Sequence, residues 1–118
     1  NLNQMVFFLF ATGIDDDENL IEDFRLDQNY PNPFNPSTTI QYALPQTANV
    51  LIRIVDTQGR IVRELENRQV TSGIHSVVWD GNADNGQAVS SGVYYYTLQA
   101  LDGKQSLFNQ SKKLILLK

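Results

Sequence analysis

Three of the four prolines in this chain lie within the eleven residues 30–40, which read YPNPFNPSTTI. Each proline fixes its own φ and biases the preceding residue toward extended geometry. The stretch therefore predicts a stiff, extended loop rather than a helix or an interior strand. Tyr30 and Phe34 are predicted to anchor this loop against a core. Residues 38–42 have the composition of a first strand, so the loop is predicted to lead the chain into a domain.

Strand signals recur at regular intervals after this loop. Alternating apolar residues or short apolar runs occupy 40–44, 50–55, 61–65, 74–79, 92–100 and 105–117, and the last is predicted to be one bent or bulged strand. Turn signals separate them every 8–12 residues or so, and Gly59 is predicted to supply the positive φ of one turn. Residues 66–72 are predicted to form a polar bend. The sequence thus predicts an all-β, immunoglobulin-like antiparallel β-sandwich of about seven strands, with Tyr94, Tyr96, Leu98 and Trp79 facing the core.

The N-terminal thirteen residues contain an apolar run with aromatic and β-branched side chains, which favours a strand. The run does not alternate, so both faces of this strand are predicted to be buried, and something must cover it. We expect residues 1–13 to be either the end of an upstream region or an intermolecular strand. The candidate strand-donor residues are Met5, Val6, Phe7, Phe8, Leu9 and Phe10.

Residues 14–28 hold seven of the thirteen acidic residues, and Arg25 is the one basic residue among them. Such a segment is typical of a linker, although residues 19–24 carry a weak signal for a helical turn. The predicted organisation is therefore an apolar strand in 1–13, an acidic linker in 14–28 and a β-sandwich in 29–118.

Length and charge exclude several classes of protein. A chain of 118 residues is enough for one small domain. The formal net charge is −4 and no basic stripe is present, so nucleic-acid binding is disfavoured. No apolar run is long enough to span a bilayer. Because the chain has no cysteine, packing rather than disulfides must stabilise the fold.

The sequence gives little support for catalysis. His75 is the only histidine and has no nucleophile motif beside it, so neither a triad nor a multi-histidine zinc site is expected. We expect no enzymatic activity and no cofactor. A calcium site at Asp80, Asn82 and Asp84 is the alternative, since oxygen ligands alternate along this loop. The glycine that follows is one residue late for a calcium loop, so a loop bonded to itself is the favoured interpretation.

Several segments together resemble the type A C-terminal sorting domains of type IX secretion. Residues 28–40 resemble the opening motif of that family, residues 52–60 its second motif, residues 92–94 the next, and residues 112–118 its terminal strand. Residues 79–94 also resemble the immunoglobulin-like domain of flagellar hook-capping proteins, a related sandwich. The residues that the resemblance assigns to recognition are Tyr30, Pro31, Asn32, Pro33, Phe34, Asn35, Pro36, Gly59, Gly92, Tyr94, Lys112, Lys113 and Lys118.

The resemblance implies a targeting domain that an outer-membrane translocon and a sortase bind. It also implies a secreted or cell-surface location, reached through the periplasm and outer membrane of a Gram-negative bacterium. The alternative hypothesis is a structural subunit of an extracellular assembly. In that case residues 5–10 would complete the sheet of a neighbouring copy and build a homo-oligomer or filament.

Overall fold

The computed structural model describes residues 20–118, which form seven β-strands. The predicted strand donor, residues 5–10, lies outside the described residues. The strands are β1 (Arg25–Leu26), β2 (Thr38–Leu44), β3 (Ala48–Val55), β4 (Ile61–Val70), β5 (Gly73–Trp79), β6 (Gly92–Asp102) and β7 (Gln105–Leu116).

The strands form two sheets that pack as a sandwich. The smaller sheet has the order β1-β2-β5 and the larger sheet the order β4-β3-β6-β7. Every strand pair within the two sheets is antiparallel. This arrangement confirms the predicted immunoglobulin-like sandwich. The single bent strand predicted for 105–117 is also confirmed, because the register of β6 and β7 shifts between Ala100 and Leu101.

The core lies between the two sheets and follows the predicted alternation. Tyr96 and Leu98 of β6 are fully buried, and Tyr94 is 7% exposed. Trp79, at the end of β5, is fully buried and packs between the rings of Phe34 and Tyr94. Burying one large apolar side chain stabilises a fold by about 1.5–3 kcal/mol, so these alternating positions provide the main driving force for the sandwich.

The structure corrects the polar bend predicted for residues 66–72. Strand β4 continues to Val70, and its register with β3 extends to the pair Ala48–Val70. The polar side chains of this segment are compatible with a strand because β4 is an edge of the larger sheet. Charged residues are common on edge strands, where they oppose pairing with other molecules.

The structure also places the end of the predicted acidic linker against the sandwich. Arg25 and Leu26 pair with Ala43 and Tyr42 of β2, and Leu26 is 3% exposed. The ring of Phe24 stacks on Phe108 with a centroid distance of 5.3 Å. These apolar contacts explain why the segment pairs with a sheet despite its acidic composition. In the described part of residues 19–24 there is no helical turn, and no helix in residues 20–118 is long and apolar enough to cross a membrane.

Candidate recognition surface

The proline-rich loop lies alongside the end of the last strand. The Phe34 amide donates to the Ile115 carbonyl at 2.9 Å, and the Leu117 amide donates to the Phe34 carbonyl at 3.0 Å. The Ile115 amide donates to Asn32 Oδ1 at 3.0 Å. Residues 30–36 and 112–118 therefore form one continuous surface, which we call the terminal surface. The loop also covers the outer edge of β7 at this point.

A buried asparagine holds the loop in this position. Asn29 is 2% exposed, and its Nδ2 donates to the Pro31 carbonyl at 3.1 Å and to Thr38 Oγ1 at 3.0 Å. Thr38 Oγ1 in turn donates to the same Pro31 carbonyl at 2.8 Å. The Tyr96 hydroxyl accepts from the Asn29 amide at 2.9 Å and donates to the Asp27 carbonyl at 2.5 Å. These bonds tie the start of the loop to β2 and β6.

Sequence reasoning did not single out Asn29, Thr38 and Tyr96 as a network. An asparagine and a threonine that flank a proline loop are common turn residues, so their burial has no sequence signal of its own. The sequence predicts that Tyr96 faces inward because of its apolar ring, but its hydroxyl also needs partners once it is buried. Burial raises the pKa of Tyr96 from 10.0 to about 12, so its hydroxyl stays protonated and continues to donate even near pH 10, where a free tyrosine ionises.

Phe34 is the apolar anchor of the loop, as predicted. It is 2% exposed, and its ring lies 5.4 Å from the Trp79 ring. Tyr94 meets the other side of Trp79 edge-on at 5.5 Å, and its hydroxyl donates to the Ser90 carbonyl at 2.6 Å. Gly92 lies opposite Leu116 in the β6–β7 ladder. Gly92 and Tyr94, assigned to recognition by the resemblance, therefore support the terminal surface from beneath.

The predicted core anchor at Tyr30 is wrong, because this side chain is 80% exposed. Its backbone exchanges two 2.9 Å hydrogen bonds with Thr39 of β2. Residues directly opposite in an antiparallel pair point to the same face, and Thr39 is on the outer face of the smaller sheet. The pairing thus directs the Tyr30 ring into solvent, where it becomes part of the terminal surface.

The terminal surface combines this aromatic side chain with prolines and cations. Pro31, Asn32, Pro33, Asn35 and Pro36 are all exposed. Lys113 and Lys118 are exposed and Lys112 is half-buried. The Gln28 side chain donates to the Lys113 carbonyl at 2.8 Å, and the Lys118 amide donates to Ser91 Oγ at 3.0 Å. The surface is therefore fixed in shape although most of its side chains are solvent-accessible.

Gly59 belongs to a separate tight turn between β3 and β4. Its φ is +84°, as the sequence predicts, and its amide donates to the Asp56 carbonyl at 3.0 Å. Asp56 Oδ1 accepts from the amides of Gln58 and Arg60. The bond from the Arg60 amide is the main reason that the pKa of Asp56 lies below its usual value. The turn lines a cleft of about 400 Å³ together with Gly92 and Tyr94.

The candidate calcium ligands surround an arginine. Arg63 Nη1 lies 3.2 Å from Asp80 Oδ1 and donates to the Asn82 carbonyl at 3.1 Å. Arg63 Nε lies 3.7 Å from Asp84 Oδ1. The structure thus brings all three predicted residues together, and Arg63 supplies positive charge there. Within residues 20–118, no group of three or more His, Cys, Asp or Glu side chains is placed to hold a metal ion.

His75 makes local contacts only. Its Nε2 lies 2.8 Å from the Thr71 carbonyl, and its ring lies 5.7 Å from that of Tyr42. Both contacts hold the ring beside the start of β5. No serine or carboxylate hydrogen-bonds to the ring in the described part of the chain, so these contacts resemble those of a structural residue.

Two antiparallel sheets with this strand order define an immunoglobulin-like module. The sequence model of the family described as the FlgD Ig-like domain matches residues 35–104, which is more than half of the chain. The chain therefore belongs to the FlgD Ig-like domain family. The match begins within the proline-rich loop and ends before β7, so most of the terminal surface lies outside it.

Curated relatives support this assignment. The basal-body rod modification protein FlgD of Salmonella typhimurium is 35% identical over 75 residues, which are 63% of this chain and 32% of that protein. FlgD of Escherichia coli K12 is 32% identical over 75 residues, with the same coverage. The chain spans about a third of the length of these relatives.

Solved structures show the same fold. FlgD from P. aeruginosa has a TM-score of 0.57 at 24% identity, covering 67% of this chain and 61% of that chain. Dimeric latent PorU from Porphyromonas gingivalis has a TM-score of 0.67 at 22% identity, covering 82% of this chain and 10% of that chain. At these identities the likeness is one of fold.

Proposed function

We propose that this chain is a non-catalytic recognition module, a type IX sorting domain whose terminal surface is bound by an outer-membrane translocon and a sortase. One observation carries this proposal. The two segments that resemble the first and last sorting motifs are joined by direct hydrogen bonds, although Asn32 and Ile115 are 83 residues apart in sequence. A partner that binds this surface contacts both motifs at once.

The exposed chemistry of the terminal surface suits protein binding. The Tyr30 ring is 80% exposed and Leu117 is 54% exposed, while Lys113 and Lys118 lie nearby in sequence. Aromatic side chains contribute much of the energy of protein interfaces, and charged residues are typical of their rims. The rigid loop also reduces the entropy lost on binding, because its backbone is already hydrogen-bonded in place.

The division of the chain is part of the same proposal. Residues 29–118 would be the sorting sandwich and residues 14–28 the acidic linker, the segment in which a sortase would cleave. Because β1 and Phe24 contact the sandwich, we place the cleavable part of the linker before Phe24. We further propose a secreted or cell-surface location for the cargo and no cofactor.

A reporter assay tests the sorting proposal. The whole chain is fused to the C-terminus of a secreted reporter in a bacterium with type IX secretion, and reporter is measured at the surface and in the periplasm. We expect surface display of the reporter, and a several-fold loss with Tyr30→Ala, whose exposed ring contributes little to folding. Ile61→Ala is the matched control, since Ile61 is 54% exposed and lies on β4, at the opposite edge of the larger sheet from β7. Periplasmic retention of the unmodified fusion would refute the proposal.

A structural subunit of an extracellular assembly is the second candidate. The curated relatives are basal-body rod modification proteins, and a 35% identical segment of such a protein favours a structural role directly. The geometry of the terminal surface favours sorting, whereas the family match favours assembly. In the assembly role, residues 5–10 would pair with a neighbouring copy. Sedimentation velocity of the full chain against Phe8→Lys tests this role: self-association that depends on Phe8 supports it, and a monomer in both cases refutes it.

A further inference from the structure

We propose that the outer edge of β5 accepts residues 5–10 of a neighbouring copy as a fourth strand of the smaller sheet. This inference rests on the second of the two functions proposed above, and it adds the site where the donated strand binds. Among the described residues, β5 has one hydrogen-bonded strand neighbour, β2, so its other edge faces outward.

The β5 edge lacks the features that protect other sheet edges. Gly73–Trp79 contains no charged residue and no proline, and its register with β2 runs without a shift over all seven pairs. By contrast, β4 carries four charged side chains and two register shifts. Strand β7 carries Lys112 and Lys113, and the proline-rich loop covers its end. Exposed edges are usually blocked by charges, prolines or bulges, so an unblocked edge is suited to strand addition.

The sandwich also leaves space for one more strand on this side. Three strands of the smaller sheet face four of the larger sheet. At the β1 side the two sheets meet, because Phe24 stacks on Phe108 and Gln28 bonds to Lys113 of β7. The free edge of β5 therefore lies on the side of β4. There Val62 and Leu65 are only partly buried, and the loop after β5 already contacts Val62, because the Asp84 amide donates to the Val62 carbonyl at 3.0 Å.

A strand in this position needs apolar side chains on both faces. Its inner face would cover Leu65 of β4, which is partly buried. Its outer face would lie beside Ile74 and Val78, which are 54% and 59% exposed. A strand in which apolar and polar residues alternate would present apolar side chains on one face only. Residues 5–10, MVFFLF, are apolar at every position and so present them on both faces. These six residues are one fewer than the seven of β5, so the two strands could pair over almost the whole length of β5.

The strand order favours donation between copies. Leu20, where the described residues begin, precedes β1, and β1 and β5 are opposite edges of the smaller sheet. To reach its own β5 edge, the chain would have to cross the outer face of its own sheet. The nine residues 11–19 can span up to about 30 Å when extended, which is enough to reach an adjacent molecule.

Cysteine cross-linking of the full chain tests the inference, and the absence of native cysteines makes every disulfide attributable. The acceptor variant is Ser76→Cys, an exposed position at the centre of β5. The donor variants are Phe7→Cys and Phe8→Cys, because neighbouring residues of a strand point to opposite faces and one of them should share the face of Ser76. Opposed Cα atoms in an antiparallel pair lie about 4.5–5.5 Å apart, within the range of a disulfide.

Ser111→Cys is the matched control, since Ser111 is an exposed serine on another edge strand, β7. Acceptor and donor variants are mixed, oxidised mildly, and the linked peptides are identified by mass spectrometry. We expect one donor to give several-fold more heterodimer with Ser76→Cys than with Ser111→Cys. Equal yields at the two acceptors would overturn the inference. So would a predominance of disulfides between two copies of Ser76→Cys, which would indicate pairing of β5 with β5.

The outcomes separate this inference from the function on which it rests. If the full chain self-associates through Phe8 but does not cross-link at Ser76→Cys, the β5 site is wrong and the assembly role stands. If a double variant with one acceptor and one donor cysteine forms its disulfide within a single chain, donation between copies is refuted. As a second measurement, Ile74→Lys should abolish self-association while keeping the melting temperature, and Tyr95→Lys should leave self-association unchanged.

Discussion

Replacing Asn29 by aspartate tests whether the buried hydrogen bonds of this residue fix the proline-rich loop. The change is nearly isosteric and replaces the Nδ2 donor by an oxygen. The two groups that Nδ2 now contacts are the Pro31 carbonyl at 3.1 Å and Thr38 Oγ1 at 3.0 Å. Thr38 already uses its proton on Pro31. A carboxylate at this position would therefore face acceptors without a donor between them.

The expected loss of stability follows from this geometry. Two hydrogen bonds are lost, each contributing about 0.5–1.5 kcal/mol, and a charge is buried without a cation beside it. The Thr38 hydroxyl can turn toward the carboxylate, but the Pro31 carbonyl then has no donor. We expect Asn29→Asp to lower the free energy of unfolding by about 2–5 kcal/mol at pH 7, a large share of the total stability of a small domain.

The penalty should decrease on acidification. Burial raises the pKa of the introduced carboxyl above its unfolded value, so the folded state gains a proton first as the pH falls. In its protonated form, the introduced side chain again has a donor for Pro31 or Thr38. Urea unfolding followed by the fluorescence of Trp79, which is fully buried, measures the difference at pH 7 and pH 4. With slopes of about 1–3 kcal/mol per molar urea, the expected shift of the midpoint is well resolved.

Asn109→Asp is the control, because it introduces the same charge at an exposed position of β7. We expect the control to change the free energy of unfolding by less than about 0.5 kcal/mol. If the two variants unfold at the same urea concentration, Asn29 does not hold the loop as argued. If Asn29→Asp lowers the free energy of unfolding equally at pH 7 and pH 4, the loss of stability does not come from the buried charge.

Three further perturbations follow from the described contacts. Gly92→Val should lower the free energy of unfolding by about 1–3 kcal/mol, measured as a lower melting temperature, because the φ of Gly92 is +151°. Gly92→Ala should lower it by nearly as much, because no atom lies within 4 Å of an added Cβ and the cost therefore comes from the backbone rather than from the size of the side chain. Tyr42→Phe should raise the free energy of unfolding, measured in urea, by about 1 kcal/mol, because the buried Tyr42 hydroxyl has no partner among the described residues, whereas Tyr96→Phe should lower it. Burial raises the pKa of both Tyr42 and Tyr96 from 10.0 to about 12, so unfolded chains lose these protons first. The free energy of unfolding should be constant below pH 10 and should fall between pH 10 and 12. The fall is at most about 1.4 kcal/mol per pH unit for each tyrosine, and less where solvent screens the charge. If Tyr42→Phe leaves the slope of the free energy of unfolding against pH unchanged in this range, the prediction is wrong.

The strands that bury one face could be predicted from the sequence, and the polar edge could not. Alternation at Val50, Ile52 and Ile54 identifies β3 because each residue is fully or nearly fully buried. Residues 66–70 lack such alternation, since β4 lies at an edge where neither face is covered completely. Periodicity reports burial rather than hydrogen bonding, so a strand that is held mainly by backbone bonds escapes it.

The candidate site shows a related division. Large apolar side chains on a stiff loop require a core, so the sequence predicts both Phe34 and Tyr30 as anchors. The two differ in which strand their backbones join: Phe34 lies beside Leu116, and Tyr30 lies opposite Thr39 on an outer face. Long-range register decides this, and local sequence does not contain it. The contact between the loop and β7 could not be predicted from the sequence either, because its hydrogen bonds connect residues that are distant in the chain.

The terminal surface links recognition to folding in a way that neither motif would provide alone. Its two halves come from opposite ends of the sandwich sequence and are joined by the hydrogen bonds of Phe34 and Asn32 to residues 115 and 117. The buried bonds of Asn29 hold the loop in place for this contact. An unfolded chain carries both motifs but not the surface. A translocon that binds the joined surface would therefore select folded cargo domains, whereas one that binds the linear proline motif would not. Asn29→Asp in the reporter fusion separates these cases, because it leaves every exposed residue of the motif intact while it weakens the bonds that join the loop to the sandwich. Under the proposed function, surface display should fall with the stability of this variant and recover toward acidic pH.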